Sequence, residues 1–197
     1  MEGESFDLIL AGVGGQGIIF AGQIIMEAAL QKNYKVYGFE MHGMARRGGA
    51  VGTHIRFGKE VYSPLVPMGK GNLLAAFEPS EALRHLHFLN MESSVVLNTA
   101  PVISVSVSAG GGTYPEIEDI KGTITKNCNN VITLDATSLA CESGNSVTMN
   151  VVMLGALCSS GALPIKKDIV QKVIEKRTPE RLREMNLNAF EKGLESV

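Results

Sequence analysis

The chain has 197 residues, 45% hydrophobic and 19% charged, with a formal net charge of −2 and a pI near 6.1. That is the composition of a folded globular chain, long enough to bury roughly 70% of its unfolded surface without help from disulfides or a metal. The near-neutral balance excludes nucleic acid or an anionic membrane surface as a bulk electrostatic partner.

Along the chain, Leu8, Ile9, Leu10 and Ala11 form a short apolar run ending in glycines, the pattern of a strand buried on both faces. From Ile18 the period changes. Ile18, Ala21, Gly22, Ile25, Ala28 and Ala29 line one helical face, and Gln23, Glu27 and Gln31 the other. Asn33 and Tyr34 interrupt that helix, and residues 35–39 (KVYGF) read as a second strand. Strand, glycine turn, helix and strand make a βαβ unit, which predicts two parallel, neighbouring strands. Residues 51–57 and the pair Val61 and Tyr62 flank Gly58, Lys59 and Glu60, a spacing that predicts a bulged hairpin.

Residues 73–77 (LLAAF) form another buried strand, Pro79 opens a helix to about Leu89, and residues 95–97 form a strand. Residues 101–113, with "SVSVSAGGG", fit either an exposed edge strand or a flexible loop. A helix from Pro115 to about Asn127, a strand over 131–135 and three further helices complete the chain. The last of these has Thr178 as N-cap and Pro179 at its first position. The sum is an α/β, three-layer, Rossmann-like fold with a largely parallel sheet plus a β-hairpin, in one domain over residues 1–197. Ligands of such folds bind beyond the carboxyl ends of the strands.

Three cysteines, Cys128, Cys141 and Cys158, form neither a C-x-x-C pair nor an even-numbered disulfide frame. They read as buried free thiols in a reducing compartment. The acidic start "MEGESFD" is unlike a secretory signal, and the apolar run over 149–158 is too short to span a bilayer. The expectation is a cytoplasmic chain.

Gly12, Gly14 and Gly17 stand at the G-x-G-x-x-G spacing of a dinucleotide-binding turn, and Glu40 ends the second strand where a ribose-binding acid would be. The motif alone is common. It leaves open a nicotinamide or flavin nucleotide, or a glycine turn serving only close strand–helix packing. The second loop is more telling. "EMHGMARRGGAV" gathers His42, Arg46 and Arg47 among Gly43, Gly48 and Gly49, at the same sheet edge as Gly12, Gly14, Gly15, Gln16 and Gly17. Two forked guanidinium groups beside a helix N-terminus suit phosphate or carboxylate. The plainer alternative pairs one arginine with Glu40 and leaves the other solvated.

These loops together resemble a family. "GVGGQGI" followed by "GFEMHGMARRGGAVGTHIRFGKEVYSPLVP" is similar to the small, gamma-type subunit of the 2-oxoacid:ferredoxin oxidoreductases, the pyruvate/ketoisovalerate gamma-type domain. The "HGMARRGG" and "VYSPL" stretches resemble most the beta subunit of indolepyruvate ferredoxin oxidoreductase. The likeness continues in order through "AFEPSEALR", "LDAT", "NVVMLGAL" and "NLNAFEKG", and departs from the pattern over 102–112, which is richer in valine, serine and glycine.

The resemblance implies a subunit of an enzyme that oxidatively decarboxylates a 2-oxoacid, indolepyruvate or another arylpyruvate, to an acyl-CoA and passes electrons to ferredoxin. It also implies that thiamine diphosphate, Mg and the iron–sulfur clusters belong to larger partner subunits, with coenzyme A as co-substrate. This sequence carries neither cluster-ligand spacing nor a thiamine diphosphate signature, so the chain alone binds none of these cofactors and is expected to be inactive. The residues expected to contact coenzyme A or another anion are Gly12, Gly14, Gly15, Gln16, Gly17, His42, Arg46, Arg47, Gly48 and Gly49. No catalytic residue and no metal ligand is expected in this chain. A free-standing NAD(P)- or flavin-binding oxidoreductase is the alternative, and a purely structural adaptor the third reading.

Other residues are weaker candidates. His85 and His87 lie two apart on a helix, on different faces, and read as surface residues rather than a metal pair. Cys141 and Cys158 read as small core residues, and Asp135 as the cap of the following helix. Asn145 and Asn150 either cap the apolar helix between them or face the site. That helix, over 149–158, is apolar all round, which predicts burial in the core or in an obligate interface. Phe20 and Ile24 are a further candidate contact for a partner.

Overall fold

The structure of the chain is a computed structural model that describes residues 5–43, 48–103, 105–108 and 110–197. The elements run β1 (Ser5–Val13), α1 (Ile18–Leu30), β2 (Lys35–His42), β3 (Ala50–Gly58), β4 (Leu73–Ala76) and α2 (Pro79–His85). They continue with β5 (Ser94–Asn98), a helical turn α3 (Val105–Ser108), α4 (Ile117–Thr125) and β6 (Asn130–Leu134). The chain ends in α5 (Ala136–Glu142), α6 (Met149–Ser159), α7 (Lys167–Arg177) and α8 (Glu180–Glu195).

One six-stranded sheet carries the order β2-β3-β1-β4-β5-β6. β1, β4, β5 and β6 pair in parallel, and β3 runs antiparallel to both β1 and β2. Five strands therefore share one direction and β3 alone opposes them, so the sheet is largely parallel in sense but mixed in pairing. The predicted βαβ unit exists, yet its two strands are not neighbours, because β3 is inserted between them. The hairpin also lies elsewhere. β2 and β3 pair over their full lengths, from Lys35↔Gly58 to His42↔Val51. Residues 61–72 form no strand: Pro64 and Pro67 lack the amide hydrogen a ladder needs.

The alternation of the strands divides the core into two layers. Leu8 and Leu10 face α1 and the C-terminal helices in one cluster; Ile9, Ala11, Leu74 and Leu97 face Ala82 of α2 and Ile120 and Ile124 of α4 in the other. The three-layer expectation is met. Four helices, not three, follow β6. Residues 101–113 contain the turn α3, which neither reading of that stretch included. Thr178 does not cap α8. Its amide closes α7 onto the Ile174 carbonyl 2.9 Å away, and its hydroxyl is buried without a partner.

The apolar helix is internal. α6 is buried from Met149 to Leu157 and crosses α8 where Gly155 meets Gly193. A Cβ on Gly193 would lie 2.0 Å from the Val152 carbonyl oxygen, so the two backbones touch with no room for a side chain. Ile24 is likewise fully buried, and Phe20 is half-buried against the same cluster, which removes both as an exposed contact.

Candidate functional site

The carboxyl ends of β1 and β2 and the start of β3 lie at one edge of the sheet, so two loops meet there. The turn after β1 needs glycine for specific reasons. A Cβ on Gly12 would stand 2.5 Å from Gln16 Oε1 and 2.9 Å from the Phe77 Cβ. Gly17 sits at φ 73, a left-handed conformation, and a Cβ there would lie 2.3 Å from Asn150 Nδ2. The second loop is bonded to this turn directly. The Gly14 amide donates to the Gly49 carbonyl at 2.8 Å, and the Gly48 amide to the Gly14 carbonyl at 3.1 Å. Arg46 and Arg47, between β2 and that contact in sequence, lie outside the described residues.

Amide side chains stitch the same edge together. Gln16 Oε1 accepts from the Val13 amide at 2.8 Å, and Gln16 Nε2 donates to the Phe77 carbonyl at 2.9 Å. The buried Asn98 donates to that same carbonyl at 2.9 Å and accepts from the Ala136 amide at 3.1 Å, which fixes the start of α5. Asn150 donates to the Gly17 carbonyl at 3.3 Å. Gln16 thus departs from its expected role, since both polar atoms of its side chain are committed to the backbone. Asn145 caps a 3-10 turn and Asn150 reaches the glycine turn, so the two asparagines divide the alternatives between them. Asp135 caps α5 through the Ser138 amide at 2.9 Å, as expected.

What the turn leaves open is backbone. The amides of Gly15, Gly17, Ile18 and Ile19 have no acceptor among the described residues, and they lie at the positive end of the 13-residue α1. A shallow cavity of about 320 Å³ lies against them, lined by Val13, Gly14, Gly15, Gly17, Ile18, Ile19 and Val51. A second, of about 350 Å³, lies between Gly48, Ser80, Arg84 and Tyr114. Behind two of its lining residues, Ser80 and Tyr114, the buried Glu78 caps α2 and accepts from Ser80 Oγ, the Glu81 amide and Tyr114 Oη. Burial and this carboxylate push the Tyr114 phenol well above its usual range, which keeps it a proton donor.

His42, 49% exposed, pairs with Glu40 at 3.5 Å. With Gly43, Arg84, His85, His87 and Phe88 it lines a third cavity of about 430 Å³. His85 is buried rather than superficial, because its helix turns it against β3: its Nε2 stands 3.0 Å from where a Cβ on Gly52 would be. Beside it the buried His54 accepts from the Val66 amide through Nδ1 at 3.2 Å, and its Nε2 has no partner. Burial lowers the His85 pKa and takes that of His54 to about 4, so both are neutral near pH 7. Sequence spacing hid this pair, since His54 comes from a strand and His85 from a helix 31 positions on.

The dinucleotide reading loses its geometric basis. Its acidic partner must stand at the end of the strand next to β1, and Glu40 lies on β2, two strand spacings or roughly 10 Å away. The donor set for an iron–sulfur cluster is not assembled either. Cys128 is buried against α4, Cys141 is exposed on α5 (not in the core as expected), and Cys158 ends α6 with its thiol pushed up to about 12 by burial. Among the described residues no three His, Cys, Asp or Glu side chains group as metal ligands, and no helix is long and apolar enough to cross a membrane.

Solved structures with this fold are oxidoreductase subunits. The gamma subunit of a keto/oxoacid ferredoxin oxidoreductase from Geobacter sulfurreducens superposes with a TM-score of 0.70 at 22% identity, over 97% of each chain. A 2-oxoglutarate:ferredoxin oxidoreductase chain from Magnetococcus marinus matches with a TM-score of 0.76 at 22% identity, covering 98% of this chain and 31% of that longer one. At the level of sequence, the indolepyruvate oxidoreductase subunit IorB of Pyrococcus horikoshii is 39% identical over 98% of this chain and 96% of its own length. The pyruvate synthase subunit PorC of Methanothermobacter marburgensis is 27% identical over 90% and 89%. The family model for pyruvate ferredoxin/flavodoxin oxidoreductase matches residues 7–196. The fold is thus that of a gamma-type subunit. The chain belongs to the pyruvate ferredoxin/flavodoxin oxidoreductase family, as a small subunit of a 2-oxoacid:ferredoxin oxidoreductase that works with larger partner subunits.

Proposed function

We propose that this chain closes the active site of a 2-oxoacid:ferredoxin oxidoreductase and contributes a seat for coenzyme A at the rim built by Gly14, Gly48 and Gly49. The observation that carries this reading is the pair of hydrogen bonds joining the two loops. They hold Gly48 and Gly49 beside the open amides of α1, and the sequence carries Arg46 and Arg47 directly before these glycines. Within the seat, Gly15 and Gly17 to Ile19 offer amide donors. Arg46 and Arg47 offer charge, and His42 a polar contact at the outer end. Gly12 and Gln16 shape the turn from inside.

The 39% identity to an indolepyruvate oxidoreductase subunit supports indolepyruvate or another arylpyruvate as the 2-oxoacid. Thiamine diphosphate, Mg and the iron–sulfur clusters belong to the partner subunits, which also hand electrons to ferredoxin. The isolated chain is inactive on this reading, and its place is the cytoplasm. Titration of the assembled complex with coenzyme A tests the assignment. Loss of one charge-assisted contact, roughly 1.5–3 kcal/mol, corresponds to about a ten- to hundredfold rise in KM for coenzyme A in an Arg46→Ala/Arg47→Ala variant. An unchanged KM and turnover would remove the arginines from the seat.

A further inference from the structure

β2 is an edge strand, with β3 on one side and no strand among the described residues on the other. An exposed edge is usually blunted by proline, by inward charge or by a covering segment. This one instead presents Tyr37, Phe39 and Met41 on one face, each about 40% exposed. The same-face neighbours on β3 are fixed by register: Tyr37 beside Arg56, Phe39 beside His54, Met41 beside Gly52. Each of those three positions supports a wall. Arg56 donates to the carbonyls of Ser63 at 3.2 Å and Leu65 at 3.3 Å, His54 accepts from the Val66 amide, and His85 packs over Gly52. The wall is closed along its length by the Gly69 amide on the His87 carbonyl and the Gly71 amide on the Phe88 carbonyl. Its outer side exposes Tyr62, Leu65 and Met68.

The result is an apolar trough along the outermost strand, with Tyr37, Phe39 and Met41 as its floor. Half of the large hydrophobic residues exposed among the described residues belong to it or to its wall. At one end Lys35 lies over the Tyr62 ring, 5.2 Å from its centroid; at the other, the 430 Å³ cavity carries Arg84 and His87. By strand alternation Glu40 points to the opposite face. The trough thus carries a cation at each end, Arg84 being ion-paired at 3.2 Å with Glu81 of the same cavity, and its floor strand ends at His42, opposite Val51 of β3.

The geometry points to β2 as the docking edge for an extended segment of the larger partner subunit, one with alternate apolar residues over Tyr37, Phe39 and Met41 and acidic residues toward Lys35 and Arg84. Strand addition would satisfy the outward amides and carbonyls of β2, and the side-chain stripe would supply selectivity. β2 ends at His42, opposite Val51 and so two residues along β3 from Gly49 of the proposed rim, so docking along β2 and completion of the rim become one event. That last step rests on the coenzyme A reading; the docking edge itself rests only on subunit membership.

Amide exchange of the full chain, free and in the purified complex, tests the edge without any substitution. Peptides spanning 35–42 should exchange at least tenfold more slowly in the complex. A Phe39→Lys/Met41→Lys variant, checked for folding by its thermal transition, should weaken association with the partner at least tenfold, while Val147→Lys, at an exposed site elsewhere, should not. Unchanged exchange over 35–42 on complex formation would overturn the proposal. So would an edge occupied by a second copy of this chain while the partner binds elsewhere. If docking fails these tests while Arg46→Ala/Arg47→Ala still raises KM for coenzyme A, only the docking edge is lost. The reverse pattern removes only the seat.

Discussion

Gly17 answers two demands at once: a left-handed φ of 73 where the chain enters α1, and contact with Asn150 where a Cβ would stand 2.3 Å from Nδ2. The first demand alone costs an ordinary residue about 1–2 kcal/mol, and the second requires α6 or the asparagine to move. Gly17→Ala should therefore destabilise the chain by more than about 2 kcal/mol in urea unfolding. Gly15→Ala, at φ 105 with nothing within 4 Å, should show the backbone cost alone. Equal losses for the two would mean that the Asn150 contact carries no weight. The glycine spacing was legible in the sequence, and its resemblance to a nucleotide fingerprint was the misleading part. Asn150 binds this turn from 133 positions away, Asn98 holds the Phe77 carbonyl that Gln16 also reaches, and no local pattern announces an asparagine that hydrogen-bonds to a distant carbonyl.

At the scale of elements, local periodicity identified β1, α1, β4, β5 and β6, because each buries a face whose period is written in its own residues. It failed where partners decide. A strand following a helix reads as the parallel neighbour of the strand before it. Only the antiparallel pairing of β3 with both β1 and β2 shows that it slots between them. The apolar α6 was read correctly as buried, but the sequence could not say against what. The answer lies in Gly155 and Gly193, 38 positions apart, where two helices cross backbone to backbone. Gly193→Val should cost about 3 kcal/mol or more, the upper range for overpacking, since the Val152 carbonyl it strikes belongs to a helix that cannot yield locally. A loss below about 1 kcal/mol would show that α8 slides along α6 with little resistance.

For the whole molecule, the sheet is asymmetric in what it offers. α4 packs against the β6 end, while the β2 end leaves Tyr37, Phe39 and Met41 exposed. Such a chain is incomplete by construction, in keeping with its place as a small subunit of a larger oxidoreductase. The role proposed for it rests on where five strands end together: the N-terminus of α1 and the hydrogen bonds that join Gly14 to Gly48 and Gly49. The family was legible from motif order. The proposed site was legible only in part, because the donors proposed for it are backbone amides, which every residue but proline carries and no composition reveals. The most direct test of the account is amide exchange over residues 14–20 in the intact complex, with and without saturating coenzyme A. The account predicts clear slowing at Gly15, Gly17, Ile18 and Ile19 when coenzyme A is bound. Exchange at those amides that stays the same while coenzyme A supports full turnover would contradict it.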